Sequence, residues 1–88
     1  MSSTLHVIPI GRRGEVTFVL PIKGVFGRVL CDTDGTVGYP TEVQPETALA
    51  IVSECEALTG LYPGDMKDLR RVRRWAERGL TMLAYWVH

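Results

Sequence analysis

The sequence predicts an α+β domain: a small antiparallel β-meander of about four strands packed against an αα-hairpin. Three observations carry this. Residues 1–40 contain short β-branched runs separated by Gly-, Pro- and Asp-rich breaks. From residue 45 the apolar spacing changes from two to three and four. The two helical stretches that follow are separated only by Leu61-Tyr62-Pro63-Gly64, a connection short enough to set them antiparallel.

Residues 5–10 (LHVIPI) and 15–20 (EVTFVL) are the first strand candidates. In the second, Val16, Phe18 and Leu20 alternate with Glu15, Thr17 and Val19, the period of a half-buried strand. Between them Gly11-Arg12-Arg13-Gly14 reads as a hairpin loop with a basic tip, because glycine reaches the positive φ that tight turns require. Pro9 has no N–H to give a ladder, which predicts an edge or bulged first strand. After the break at Pro21–Gly24, residues 25–31 (VFGRVLC) are a third strand candidate. Asp32-Thr33-Asp34-Gly35 has turn composition, and 36–39 is a short fourth strand.

Pro45 suits a first helical turn and Glu46 suits its positive dipole end. Ala48, Ile51, Val52, Cys55 and Leu58 then predict an amphipathic helix over 45–59, closed by Gly60. Asp65 is the expected N-cap of a second helix. Leu69, Val72, Ala76, Leu80, Leu83 and Val87 hold a helical stripe almost to His88, which favours a continuous or kinked helix. The alternative is a helix ending at Arg78-Gly79-Leu80, which has the form of a C-cap, followed by a fifth strand across 80–87.

Eighty-eight residues suit a single domain, 1–88, and a hydrophobic content of 45% is too high for a disordered chain. No apolar run reaches the roughly 18 residues that span a bilayer. The first residues lack the basic start and apolar core of a signal peptide, so the expected compartment is cytoplasmic. Cys31 and Cys55 are then expected as free thiols. Net charge is zero, but it is zoned. Residues 1–31 carry Arg12, Arg13, Lys23 and Arg28 against Glu15 alone. Residues 32–65 carry seven carboxylates and no Lys or Arg. Residues 66–88 hold six of the ten Lys and Arg residues against Asp68 and Glu77. Such zoning bears on partners rather than on fold.

The candidate binding face is the basic stretch Arg70, Arg71, Arg73, Arg74 and Arg78, with Lys67 beside it and Trp75 inside it. Guanidinium forks hold carboxylate or phosphate in bidentate geometry, and an interleaved tryptophan suits an interface anchor or a base-stacking surface. The competing readings are a solvated face, or neutralisation by Glu46, Glu54 and Glu56 of the neighbouring helix. Secondary candidates are Arg12 and Arg13 at the hairpin tip, and Met82, Tyr85 and Trp86, which serve the core, self-association as a homodimer, or a partner.

Other chemistry finds no pattern. Gly11–Gly14 has the GXXG spacing with which KH domains clamp a nucleic-acid backbone, but that loop needs a helix on each side and strand-like runs flank it here. Counted from Asp32, the Gly and Glu places of an EF-hand loop fall on Val37 and Val43. Two histidines without a Cys-x-x-Cys predict no metal site, and neither cysteine has a local activating group. No catalytic residue and no cofactor is expected. The reading is a non-enzymatic protein-binding module, an inhibitor or regulatory adaptor, docking through the Arg-rich helix on an acidic protein surface. In size and composition it is like the accessory proteins of phages and mobile elements. The alternatives are a nucleic-acid-binding protein using Arg12, Arg13 and the helix arginines, or a phosphate-mimicking decoy built on the acidic residues 32–65.

Overall fold

The computed structural model describes residues 4–18, 22–34, 40–58 and 60–87 (for 29–34, the backbone). Along the chain the elements are β1 (Thr4–Pro9), β2 (Val16–Phe18), α1 (Ile22–Asp34), β3 (Thr41–Val43), α2 (Pro45–Glu56), α3 (Pro63–Glu77) and β4 (Met82–Val87). The α+β class and the α2–α3 hairpin are as the sequence predicts. The meander is not: the antiparallel sheet has the order β2-β1-β4-β3.

The C-terminal segment accounts for most of that difference. Gly79 takes φ +77°, its N–H donates to the Ala76 carbonyl at 2.9 Å, and the Leu80 N–H donates to the Trp75 carbonyl at 3.1 Å. These are the two hydrogen bonds of a Schellman cap, so the helix ends and residues 82–87 become a strand. The helical spacing of Leu80, Leu83 and Val87 is overridden by this terminator and by strand pairing on both sides. β4 lies between β1, where His6 faces Tyr85 and Val7 faces Ala84, and β3, where Glu42 faces Leu83. β1 is therefore central rather than an edge. Pro9 stands at its end opposite Met82, where a missing donor interrupts little, and the Ile10 N–H resumes bonding to the Thr81 carbonyl at 2.9 Å.

Residues 25–31, expected as a strand, belong to α1. Ile22, Val25 and Phe26 are buried at helical spacing, and Gly27 lets the Trp86 ring approach until an added Cβ would stand 3.2 Å from it. Burial and close helix–sheet contact outweigh the β preference of Val and Phe. Asp32, Thr33 and Asp34 continue α1 instead of opening a turn, and the strand expected at 36–39 lies outside the described residues. Thr41–Val43 supplies a short strand that the sequence reading missed. α2 ends at Glu56, short of the expected 59. α3 starts at Pro63 after Tyr62, which puts Asp65 in the first turn instead of at the N-cap.

All three helices cover one face of the sheet. The core joins Leu5, Phe18, Met82 and Ala84 of that face to Ile22 and Phe26 of α1, Ile51 and Val52 of α2, and Leu69 and Val72 of α3. Phe18 and Phe26 stack with ring centroids 5.7 Å apart. The other face carries Thr4, His6, Ile8, Thr17, Glu42, Leu83, Tyr85 and Val87, by the alternation along each strand.

Candidate functional site

At 3.6 residues per turn, Leu69, Val72 and Ala76 form the buried stripe of α3, and all three are at most 4% exposed. The opposite stripe holds Lys67, Arg70, Arg74 and Arg78, all exposed, their side chains without a hydrogen bond or ion pair among the described residues. The remaining candidates on this helix are used within the fold. Arg73 pairs with Glu56 of α2. Arg71 lies 5.3 Å from the Trp75 ring centroid and donates to the Glu15 carbonyl at 3.2 Å. Trp75 itself is only 8% exposed. It is a core residue, and its ring supports the hairpin loop instead of standing in the solvent.

That support decides where the loop goes. Gly14 has φ +140°, and a Cβ built on it would stand 3.0 Å from Trp75 Cζ2 and 3.3 Å from Arg71 Nη2. Only glycine lets the backbone lie this close. The exposed Arg12 and Arg13 therefore sit on a loop that runs against α3 at Arg71 and Trp75. The fold brings the hairpin tip and the C-terminal half of the basic helix to one side. Met82, Tyr85 and Trp86 are separated: Met82 is core, Trp86 packs over Gly27, and Tyr85 is on the open sheet face.

The acidic zone is divided too. Glu54 pairs with Arg28 of α1 and Glu56 with Arg73 of α3, so α2 is flanked by a cation from each neighbouring helix. Glu42 and Glu46 are exposed, on β3 and in the first turn of α2 respectively. Neutralisation thus applies to Arg73 but not to Arg70, Arg74 or Arg78.

At the N-terminal end of the basic stripe is a cleft of about 460 Å³ between the end of α2 and the start of α3. Glu56, Leu58, Gly60, Leu61, Met66, Leu69 and Arg70 line it. Met66 on this wall is 47% exposed, and Tyr62, next to Leu61 in the chain, is 69% exposed. The sequence reading missed the cleft. Its signal was available in Leu58, Leu61 and Tyr62, apolar residues placed in a helix–helix connection that would ordinarily be polar, with Met66 following in the first turn of α3.

Compared with protein-family models, curated proteins and solved structures, the chain gives no match in any of the three. Its chemistry has to be argued from its own residues.

One further cluster escaped the sequence reading. On the open sheet face His6 stacks on Tyr85, with centroids 5.2 Å apart and planes 17° from parallel. Glu15 Oε1 lies 2.5 Å from His6 Nδ1 and accepts from the Tyr85 hydroxyl at 2.9 Å. Thr4 Oγ1 lies 3.1 Å from His6 Nε2. Hydrogen bonding from His6 and then from Tyr85 holds the Glu15 carboxyl below its ordinary range, and the same bond raises the Tyr85 phenol. The cluster fastens the start of β2 across β1 to β4. Cys55 is a buried free thiol pushed up to about 11, chiefly by burial and secondarily by Glu56. Such a thiol is packing rather than a nucleophile. Among the described residues no three His, Cys, Asp or Glu side chains gather as metal ligands, and no helix is long and apolar enough to cross a membrane.

Proposed function

We propose that this protein is a non-enzymatic docking module that grips an acidic protein surface through the solvent face of α3. What carries the reading is the stripe Lys67, Arg70, Arg74 and Arg78, unpaired among the described residues, running into the partly apolar cleft at Arg70. Protein interfaces combine an apolar core with a polar rim, and arginine is enriched in them. A phosphate backbone has no use for the apolar part. With Trp75 buried, the anchor is the cleft rather than that ring. An inhibitor or regulatory adaptor is the functional class that fits a module of this kind.

Nucleic-acid binding is the second reading, favoured by the seating of the Arg12–Arg13 loop against Arg71 and Trp75. It predicts a steep loss of affinity with salt. The test is affinity capture from a lysate, with and without nuclease and at two salt concentrations, comparing the native chain with the double variant Arg70→Glu, Arg74→Glu. A discrete protein retained after nuclease by the native chain and released by the folded double variant supports protein docking. Equal retention by both chains, or recovery of nucleic acid alone, refutes it.

A further inference from the structure

The inference drawn here rests on the docking reading and specifies the partner's chemistry. We propose that the cleft between α2 and α3 receives one bulky aliphatic or aromatic side chain from an acidic peptide segment of the partner, while Arg70 holds a carboxylate beside it. Four of the seven wall residues are apolar, Leu58, Leu61, Met66 and Leu69, and Glu56 and Arg70 make the wall mixed. A volume of about 460 Å³ falls within the range of roughly 300–1,000 Å³ typical of small binding pockets. Met66 and Tyr62, two of the most exposed large apolar residues of the chain, stand in this same region.

Charge selects the segment. Of the two ionic groups on the wall, Glu56 is already paired with Arg73, whereas Arg70 has no partner among the described residues. The cleft therefore combines a floor that is aliphatic in part with an unpaired cation, Arg70, at its rim. Arg74 and Lys67, on the same stripe, continue that rim along α3. An apolar side chain flanked by carboxylates matches both features. A polyanion without an apolar group satisfies only the rim, and a neutral apolar group only the floor.

The experiment measures fluorescence anisotropy with three labelled peptides and the full chain. One is Glu-rich with a central Phe, the second has Ala in place of that Phe, and the third keeps Phe but has Gln in place of every Glu. The expected result is that the Phe/Glu peptide binds at least about tenfold tighter than either of the others, equivalent to about 1.4 kcal/mol. Met66→Gln, neutral and of similar shape at a half-exposed position, should remove the preference for Phe over Ala. Arg70→Ala should remove the preference for Glu over Gln. Equal binding of the Phe and Ala peptides overturns the cleft assignment. If Arg74→Glu still abolishes binding in that case, the basic face remains a docking surface. Binding of the Phe/Glu peptide that is indifferent to both Arg70→Ala and Arg74→Glu overturns the basic-face reading as well. Absence of binding by all three peptides also overturns the proposal, as does displacement of the Phe/Glu peptide by decanoate at lower concentration than the Ala peptide requires, which would assign the cleft to a small amphiphile.

Discussion

Replacing Gly14 with alanine tests how the hairpin loop is fastened to the basic helix. The backbone there has φ +140°, beyond the left-handed helical region, where an L-residue is disfavoured by about 1–3 kcal/mol. The new Cβ would also stand 3.0 Å from Trp75 Cζ2, and the ring is held on its other side by the core. Forcing a methyl group into a packed site of this kind costs about 1–3 kcal/mol. Together the loss is about 2–6 kcal/mol, a large share of the stability of a small domain. Gly11 is the internal control. It has φ +83°, nearer the left-handed helical region, and a Cβ there meets nothing within 4 Å, so Gly11→Ala carries a backbone cost with no contact added to it. Urea unfolding followed by tryptophan fluorescence measures both. With a slope of about 1 kcal/mol per molar urea, the Gly14→Ala midpoint should fall about 1 M or more below that of Gly11→Ala. Coincident midpoints would refute the claim that close contact with Trp75 seats the loop.

Phe26→Ala removes a ring that is fully buried and stacked on Phe18, and should cost about 3–5 kcal/mol, read as a lost or strongly shifted thermal transition. The Glu15 carboxyl is held below its ordinary range, so its contribution to stability is full above the unfolded carboxyl pKa and disappears as pH falls through the lower folded value. Thermal melts at successively lower pH should therefore show the native chain losing its advantage over Glu15→Gln only in the acid range. Tyr85, raised by the same bond, should titrate above an ordinary phenol, and the difference in phenolate absorbance between the native chain and Tyr85→Phe should move back down in Glu15→Gln. The Cys55 thiol should be inert to a disulfide reagent until the chain unfolds, and with its folded value at about 11 it should make stability fall as pH rises from 9 towards 11. Rapid labelling of native Cys55 would refute its burial.

What the sequence made legible was local. The Gly11–Gly14 hairpin, the start of α2 at Pro45 and its buried stripe depend on spacing and backbone preference within about fifteen residues. α1 was misread because Val25 and Phe26 suit a strand as well as a helix, and the contact that decides, Gly27 on Trp86, is made across 59 positions of chain. The end of α3 was open for the opposite reason. Gly79 is a modest helix breaker by composition, and only the bonds from the Gly79 and Leu80 N–H groups to the Ala76 and Trp75 carbonyls reveal a terminator. The basic face was legible as composition but not as a division of labour. Nothing local distinguishes Arg73, which pairs with Glu56, from Arg74, which does not. Trp75 stands among arginines in the sequence yet falls beside the apolar stripe of its helix, and the hairpin loop that covers it comes from the other end of the chain.

The position of β4 has a consequence for how the domain is made. β2 and β1 can pair as soon as they are synthesised, but among the described residues β3 has no neighbour in the sheet except β4. Residues 82–87 are the last described element to leave the ribosome, and they fill the gap between the two parts of the sheet. Until then the hairpin and the helical pair are pieces with exposed apolar faces, and neither has the central strand that unites them. Pairing of the whole sheet is thus deferred until this segment has been translated, and it is completed by one strand insertion.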